Sequence, residues 1–330
     1  MNELKAFFKI CDKICFEPLG KEVFNFQSPK AYQYFINAKD THKSFQALEV
    51  FLHGTACEFA LQYLNHCRST CSPSSPTDFI EWAASNKNET FHLIFQLVFN
   101  YALAIFTQKI GIRCNDVQII NAGRYKFMPL FYGFRHPIYQ DIEYHDLRMR
   151  VECPTEVKTL LDSNMVFDAS SSGEHHQGGD FCLEGKIKRH KMVSPKGAVS
   201  KEMWKSISRG LDTIEKICDK VKCNLHLSDE ESNREVDLYD EIVTWRAVLR
   251  ESEFLVPGDE DLVPKNIYKE SLCSDIIELT EKAIDKMKKY WQNVANGKTK
   301  KNEYLKVIDD ENGNISCDDY DDDYDEDEKI

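Results

Sequence analysis

Apolar residues recur along this chain at intervals of three and four, the spacing that gathers them on one face of a helix. Leu48, Phe51, Leu52, Phe59, Leu61, Tyr63 and Leu64 form the clearest run. Similar runs predict helices near 42–68, 76–86, 90–111, 115–128, 138–150, 154–163, 200–222, 232–252 and 265–293. Breakers fall at the edges: Pro73 and Pro76 in the serine-rich turn CSPSSPTD, Pro154 where a first helical turn tolerates proline, and Gly297 in the place of a C-terminal cap. The chain also starts as helix, and no Asn-Gly or Gly-Asn hairpin signal divides its first half. These patterns predict a mainly α protein: a single helical domain over 1–295, with at most a minor sheet, then a linker and tail over 296–330. Ser170–Gly179 (SSSGEHHQGG) reads as a surface loop, and Phe254–Pro264 (FLVPGDEDLVP) as a link between the last helix and the body.

Charge changes this picture at the C-terminus. The 330 residues carry 55 acids and 42 bases, a formal net charge of −13. Twelve of those acids, against one lysine, lie between Asp309 and Ile330, so the rest of the chain is nearly neutral. Such a tail repels itself and has little apolar surface to bury, which predicts disorder. A neutral body argues against a strongly basic nucleic-acid-binding protein. Two stretches are nonetheless basic. Positions 185–209 hold eight bases (Lys186, Lys188, Arg189, Lys191, Lys196, Lys201, Lys205 and Arg209) and one acid, Glu202. Positions 282–306 hold eight lysines against Asp285 and Glu303. Each patch is either a solvated face or a phosphate contact, and the first is also a place for the acidic tail to dock.

Glu3, Lys5, Lys9, Asp12 and Lys13 interrupt the N-terminal apolar residues, so no signal-peptide core stands there. Phe91–Phe106 is shorter than the ~20 residues of a membrane span and contains His92, Gln96 and Asn100, so a buried core helix is expected. Twelve cysteines in so long a chain read as reduced thiols of the cytosol or nucleus. The expected setting is intracellular, nucleus or cytoplasm, with no membrane.

The candidate chemistry is sparse. His53, Cys57, His66, Cys67 and Cys71 would suit zinc if a helical hairpin folded them together, but they lack the paired spacing of zinc knuckles. Buried thiols are the plainer reading. No GxSxG, GxxxxGK[ST] or strand-borne GxGxxG occurs. Asp180 and Glu184 stand four apart after Gly179, either as acids at a helix start or as two oxygen ligands for magnesium. Spacing alone favours the helix start.

Several blocks bear a family resemblance. They are His53-Gly54-Thr55, Phe99-Asn100-Tyr101, Gly111-Ile112-Arg113 and Ala122-Gly123-Arg124, then His136–Gln140 leading to Asp146-Leu147, and Cys153–Val157. Gly178–Phe181 with Leu183-Glu184, then Lys191, Pro195 and Trp204, complete the set. Over roughly 50–220 the chain resembles a family of uncharacterised, transposon-derived proteins of animal genomes. The resemblance implies RNase H-like transposase ancestry, in which three carboxylates hold two metals for strand transfer, with Glu184 matching the last carboxylate and Asp180 its neighbour. The chain departs from the pattern at Ile187, where the family commonly has asparagine, and it lacks early acidic motifs on strands before Phe51. Glu143, Asp146 and Glu174 are the other acids available to such a site. The expectation is a non-catalytic, transposase-derived binding protein that needs no cofactor. It would contact DNA or RNA through Lys186, Lys188, Arg189, Lys191 and Lys196, or a protein partner through its helical surface. A magnesium-dependent nuclease using Glu184 is the alternative, and a structural protein-interaction module the second.

Overall fold

Capping residues set where the helices begin. Ser28, Asp40, Ser75, Asn88 and Asp116 each turn a side-chain oxygen onto backbone N–H groups of the first turn. Pro29 and Pro76 follow two of them at the first helical position, where no N–H is missed. The structure, a computed structural model, describes residues 2–133, 137–168, 176–178, 236–255, 263–272 and 282–296, with isolated positions between 205 and 220.

The first half runs α1 (Asn2–Cys11), α2 (Pro29–Ile36), α3 (Thr41–Thr70), α4 (Pro76–Ser85), α5 (Glu89–Gln96), α6 (Leu103–Cys114) and α7 (Val117–Phe127). Then come α8 (Pro129–Gly133), α9 (Pro137–Glu152), α10 (Thr155–Ser163), and later α11 (Tyr239–Glu251) and α12 (Ala283–Ala295). The strands β1 (Val166–Asp168) and β2 (His176–Gly178) pair antiparallel, with Val166 opposite Gly178. The fold is mainly α, as the periodicity predicts.

Some boundaries differ from expectation, each for a local reason. The helix expected over 90–111 is a composite of α5 and α6 joined by a π-helical stretch, Leu97–Ala102. Over Glu89–Cys114 it is long and apolar enough to cross a membrane, yet Phe91, Ile94, Leu97, Val98 and Ala102 are buried in the protein core. Part of the expected loop 170–179 is strand β2. Of the helix expected over 265–293, residues 265–272 are not helical, 273–281 lie outside the described residues, and α12 occupies Ala283–Ala295. Ahead of it, Asn266 accepts hydrogen bonds on its side chain from the backbone N–H groups of Tyr268 and Glu270. That local turn competes with helix, and the Ile267 N–H donates to the Ile14 carbonyl instead. Phe254 and Leu255 are core residues rather than part of an exposed link. Gly297, most of 200–222 and the acidic tail lie outside the described residues.

The core is aromatic. Phe7, Phe8 and Phe16 meet Phe35 of α2 and Phe51 of α3, with ring centroids 4.9–6.3 Å apart. Trp245 of α11 is fully buried against Phe51 and donates its indole N–H to Thr55 Oγ1 at 3.0 Å. Helices α6 and α7 run antiparallel and unusually close, because glycine stands at both points of nearest approach. A Cβ at Gly123 would lie 2.6 Å from the Ala104 carbonyl oxygen and 2.9 Å from the Gln108 nitrogen; one at Gly111 would lie 2.7 Å from the Ile120 nitrogen. Backbone cannot yield as a side chain can.

Gly123→Ala should therefore push α6 and α7 apart and destabilise the protein by about 1–3 kcal/mol, the usual penalty of overpacking. Chemical denaturation measures this directly. The neighbouring Ala122→Ser, at an exposed position, should leave the midpoint nearly unchanged.

Candidate nucleic-acid interface

Few of the side chains marked by the sequence fall within the described residues. Asp180, Glu184, Lys186, Lys188, Arg189, Lys191 and Lys196 lie outside them, as does Glu174. Strand β2, just before Asp180 in sequence, packs on α6. Farther along, Lys205 and Arg209 are exposed.

The histidine and cysteine set does not converge. His53, Cys57, His66 and Cys67 all lie along the single helix α3, with Cys71 as its C-terminal cap, so no hairpin folds them together. At 1.5 Å per residue, His53 and Cys71 stand about 27 Å apart. His53 meets the edge of Phe106 and His66 packs on Trp82, while the Cys67 thiol is buried. Among the described residues no three metal-binding side chains gather.

Glu143 and Asp146, the acids within reach of a metal site by sequence, are held by arginines. Arg124 of α7 donates to Glu143 Oε2 at 3.0 Å and pairs with Asp146 at 3.3 Å. Arg150 bonds Asp146 at 2.9 Å and Asp162 of α10 at 2.6 Å. Burial raises the Glu143 carboxyl above the usual carboxylate range even against the Arg124 guanidinium. For Arg124, burial acts downward, but Glu143 and Asp146 outweigh it and hold the guanidinium above its ordinary value. These acids tie α7, α9 and α10 together. Likewise buried Glu58 of α3 accepts from Arg246 at 2.6 Å and from Arg250 at 2.9 and 2.8 Å.

A surface missed by sequence reasoning lies on α1 and the chain that packs beside it. Lys5 and Lys9 stand one helical turn apart on the exposed face of α1, with Lys13 next. Phe8, between them in sequence, packs at 5.3 Å from Phe35 of α2, and Lys39, just beyond the end of α2, is near enough for its charge to act on Lys5. Partial burial, and then the ammonium groups of Lys9 and Lys39, hold Lys5 below its ordinary value. On the far side, Lys109 of α6 lies 4.2 Å from the Phe45 ring centroid on α3. Burial and then Arg113 lower that lysine, with Glu49 opposing. Lys43, in the first turn of α3, covers the Phe26 ring. Among the described residues none of Lys5, Lys9, Lys39, Lys43, Lys109 or Arg113 has a carboxylate in ion-pairing distance. The linear signal is the four-residue spacing of Lys5, Lys9 and Lys13; Lys39 joins them through the fold.

Arg124→Met should cost about 3–5 kcal/mol, since it strands a buried carboxylate, and Glu143→Gln in the same chain should recover much of that loss. Raised in the folded state, Glu143 binds its proton more tightly there than in the unfolded chain. Its contribution to stability is therefore complete below the ordinary carboxylate value and is lost as pH rises through the folded value. Denaturation midpoints measured from pH 4 to 7 should show this component in the native protein and not in Glu143→Gln.

No family model matches this chain, nor does any curated protein or solved structure.

Proposed function

We propose that this chain is a non-catalytic, transposase-derived protein that binds nucleic acid by its phosphates. The carrying observation is the division of charge. The buried acids Glu58 and Glu143 are matched by arginines, whereas Lys5, Lys9, Lys39 and Lys43 are exposed with no acid in ion-pairing distance among the described residues. Fixed lysines of this kind take up phosphates and release counterions without reading base sequence. The 186–196 run supplies five further bases, Lys186, Lys188, Arg189, Lys191 and Lys196, in the same chain. Glu143 and Asp146 engaged by Arg124 and Arg150 speak for a structural role of those acids over a magnesium-binding one. The proposal requires no cofactor.

A protein partner is the second reading, and one observation favours it. Ile138, Ile142 and Met149 lie along one exposed side of α9 at helical spacing, an apolar stripe of the kind a partner helix covers.

The test uses full-length protein in which the twelve acids of 309–330 are replaced by their amides, so that the tail does not compete. It should retain a 20-base-pair duplex at about 50 mM salt and lose it steeply as salt rises, with little preference for sequence. Replacing Lys5, Lys9 and Lys39 by Gln should flatten the plot of log affinity against log salt by about 0.9 for each phosphate left without its lysine. No retention at low salt would sink the nucleic-acid reading and leave the α9 surface as the leading one.

A further inference from the structure

The densest negative charge in the chain lies in the acidic run that follows the lysines of 282–306. Between Asp318 and Glu328, nine of eleven residues are acids. An extended chain advances about 3.3 Å per residue, so these carboxylates recur about every 4 Å. A single DNA strand presents a phosphate about every 3.4 Å. By charge spacing, the tail resembles a nucleic-acid strand.

We propose that residues 309–330 dock on the Lys5–Lys9–Lys39 face of their own chain and occupy the ground that phosphates would take. The inference rests on the lysine-face reading above for its consequence, though the docking itself is independent of it. Reach permits it. Helix α12 ends at Ala295, and the 34 residues after Asn296 span at most about 110 Å. A compact body of about 300 residues has a radius of gyration of about 19 Å, so every face is accessible to the acidic run. Tethering at that range gives a local concentration on the order of millimolar, enough to fill a weak site most of the time.

The lysine face is favoured over the lysines of α12, which are closer along the chain. On α12, Asp285 stands among Lys286, Lys288 and Lys289 and offsets part of their charge. On the α1 face Lys5, Lys9 and Lys39 are exposed, and among the described residues none has a carboxylate in ion-pairing distance; Lys9 and Lys39 both act on the Lys5 ammonium, and a polyanion relieves that repulsion. Docking there would leave duplex DNA competing with a built-in strand mimic.

A labelled synthetic peptide of residues 309–330, titrated into the full-length amide-tail protein, tests the docking. Fluorescence anisotropy should report binding at about 50 mM salt and a loss of at least about tenfold by 300 mM. Lys5→Gln/Lys9→Gln/Lys39→Gln should weaken it by a similar factor, while Lys286→Gln/Lys288→Gln/Lys289→Gln should leave it unchanged. Lys39→Gln alone, outside any helix, should give a partial loss and guards against a folding defect in the triple variant. The proposal is overturned if the peptide does not bind, if the α1-face variant binds it as well as before, or if only the α12 variant loses it. Peptide binding without duplex retention would support the docking and sink the nucleic-acid reading. Duplex retention without peptide binding would do the reverse.

Discussion

The structure depends on one long-range lock between α3 and α11, whose bonded residues stand about 190 positions apart. Gly54 leaves room for the Trp245 ring, since a Cβ there would come within 2.7 Å of it. Thr55 then accepts the indole N–H, and one turn on Glu58 takes three hydrogen bonds from Arg246 and Arg250. Small residue, hydroxyl and carboxylate occupy one face of α3 in the order the facing helix needs them. The ring supplies buried apolar area and the Thr55 bond fixes its orientation. Glu58, at 4% exposure, would be a heavy burden without those guanidinium groups. Through this lock the C-terminal part of the chain closes over the aromatic core that α1, α2 and α3 build.

The same logic governs the second set of charges. Asp146 lies between Arg124 and Arg150, and Arg150 reaches on to Asp162, so α7, α9 and α10 share one ionic chain. A metal site built from Glu143 and Asp146 would have to take both carboxylates from arginines. Removing such partners leaves uncompensated buried charge, which is why these acids are poor recruits for catalysis and good ones for holding helices. The α1 face is the complement: Lys5, Lys9 and Lys13 are exposed and of one sign.

Much of the fold was legible in the sequence, because helices follow from spacing and from caps that are local. Ser75-Pro76 and Asp116 mark helix starts that the structure keeps. What was not legible depends on distant partners. Residues 265–272 carry a helical pattern, yet Asn266 forms its own turn and Ile267 pairs with the Ile14 carbonyl, 253 residues away. The zinc set fails to converge because α3 runs unbroken for 30 residues, close to the helix that the spacing predicts over 42–68. The lysine face escaped notice because it has no linear run of charge. Phe8 packs on Phe35, Lys39 is near enough to act on Lys5, and Lys109 of α6 meets Phe45 of α3.

The blocks behind the family resemblance acquire physical meanings from these packing arrangements. Gly54 and Thr55 receive Trp245; Gly111 and Gly123 let α6 and α7 approach; Arg124 neutralises Glu143. Gln140 donates its side-chain amide to the Phe131 carbonyl, while its own carbonyl accepts the Tyr132 hydroxyl, whose oxygen also receives the Trp291 indole N–H. Each is a place where one helix meets another and where a substitution has few alternatives. Such motifs are signatures of a scaffold, and a scaffold can persist after chemistry is lost or before it is gained. The lysines of α1 belong to none of these blocks. They stand exposed on a helix whose other face packs the core, so their charge is free to serve a binding role.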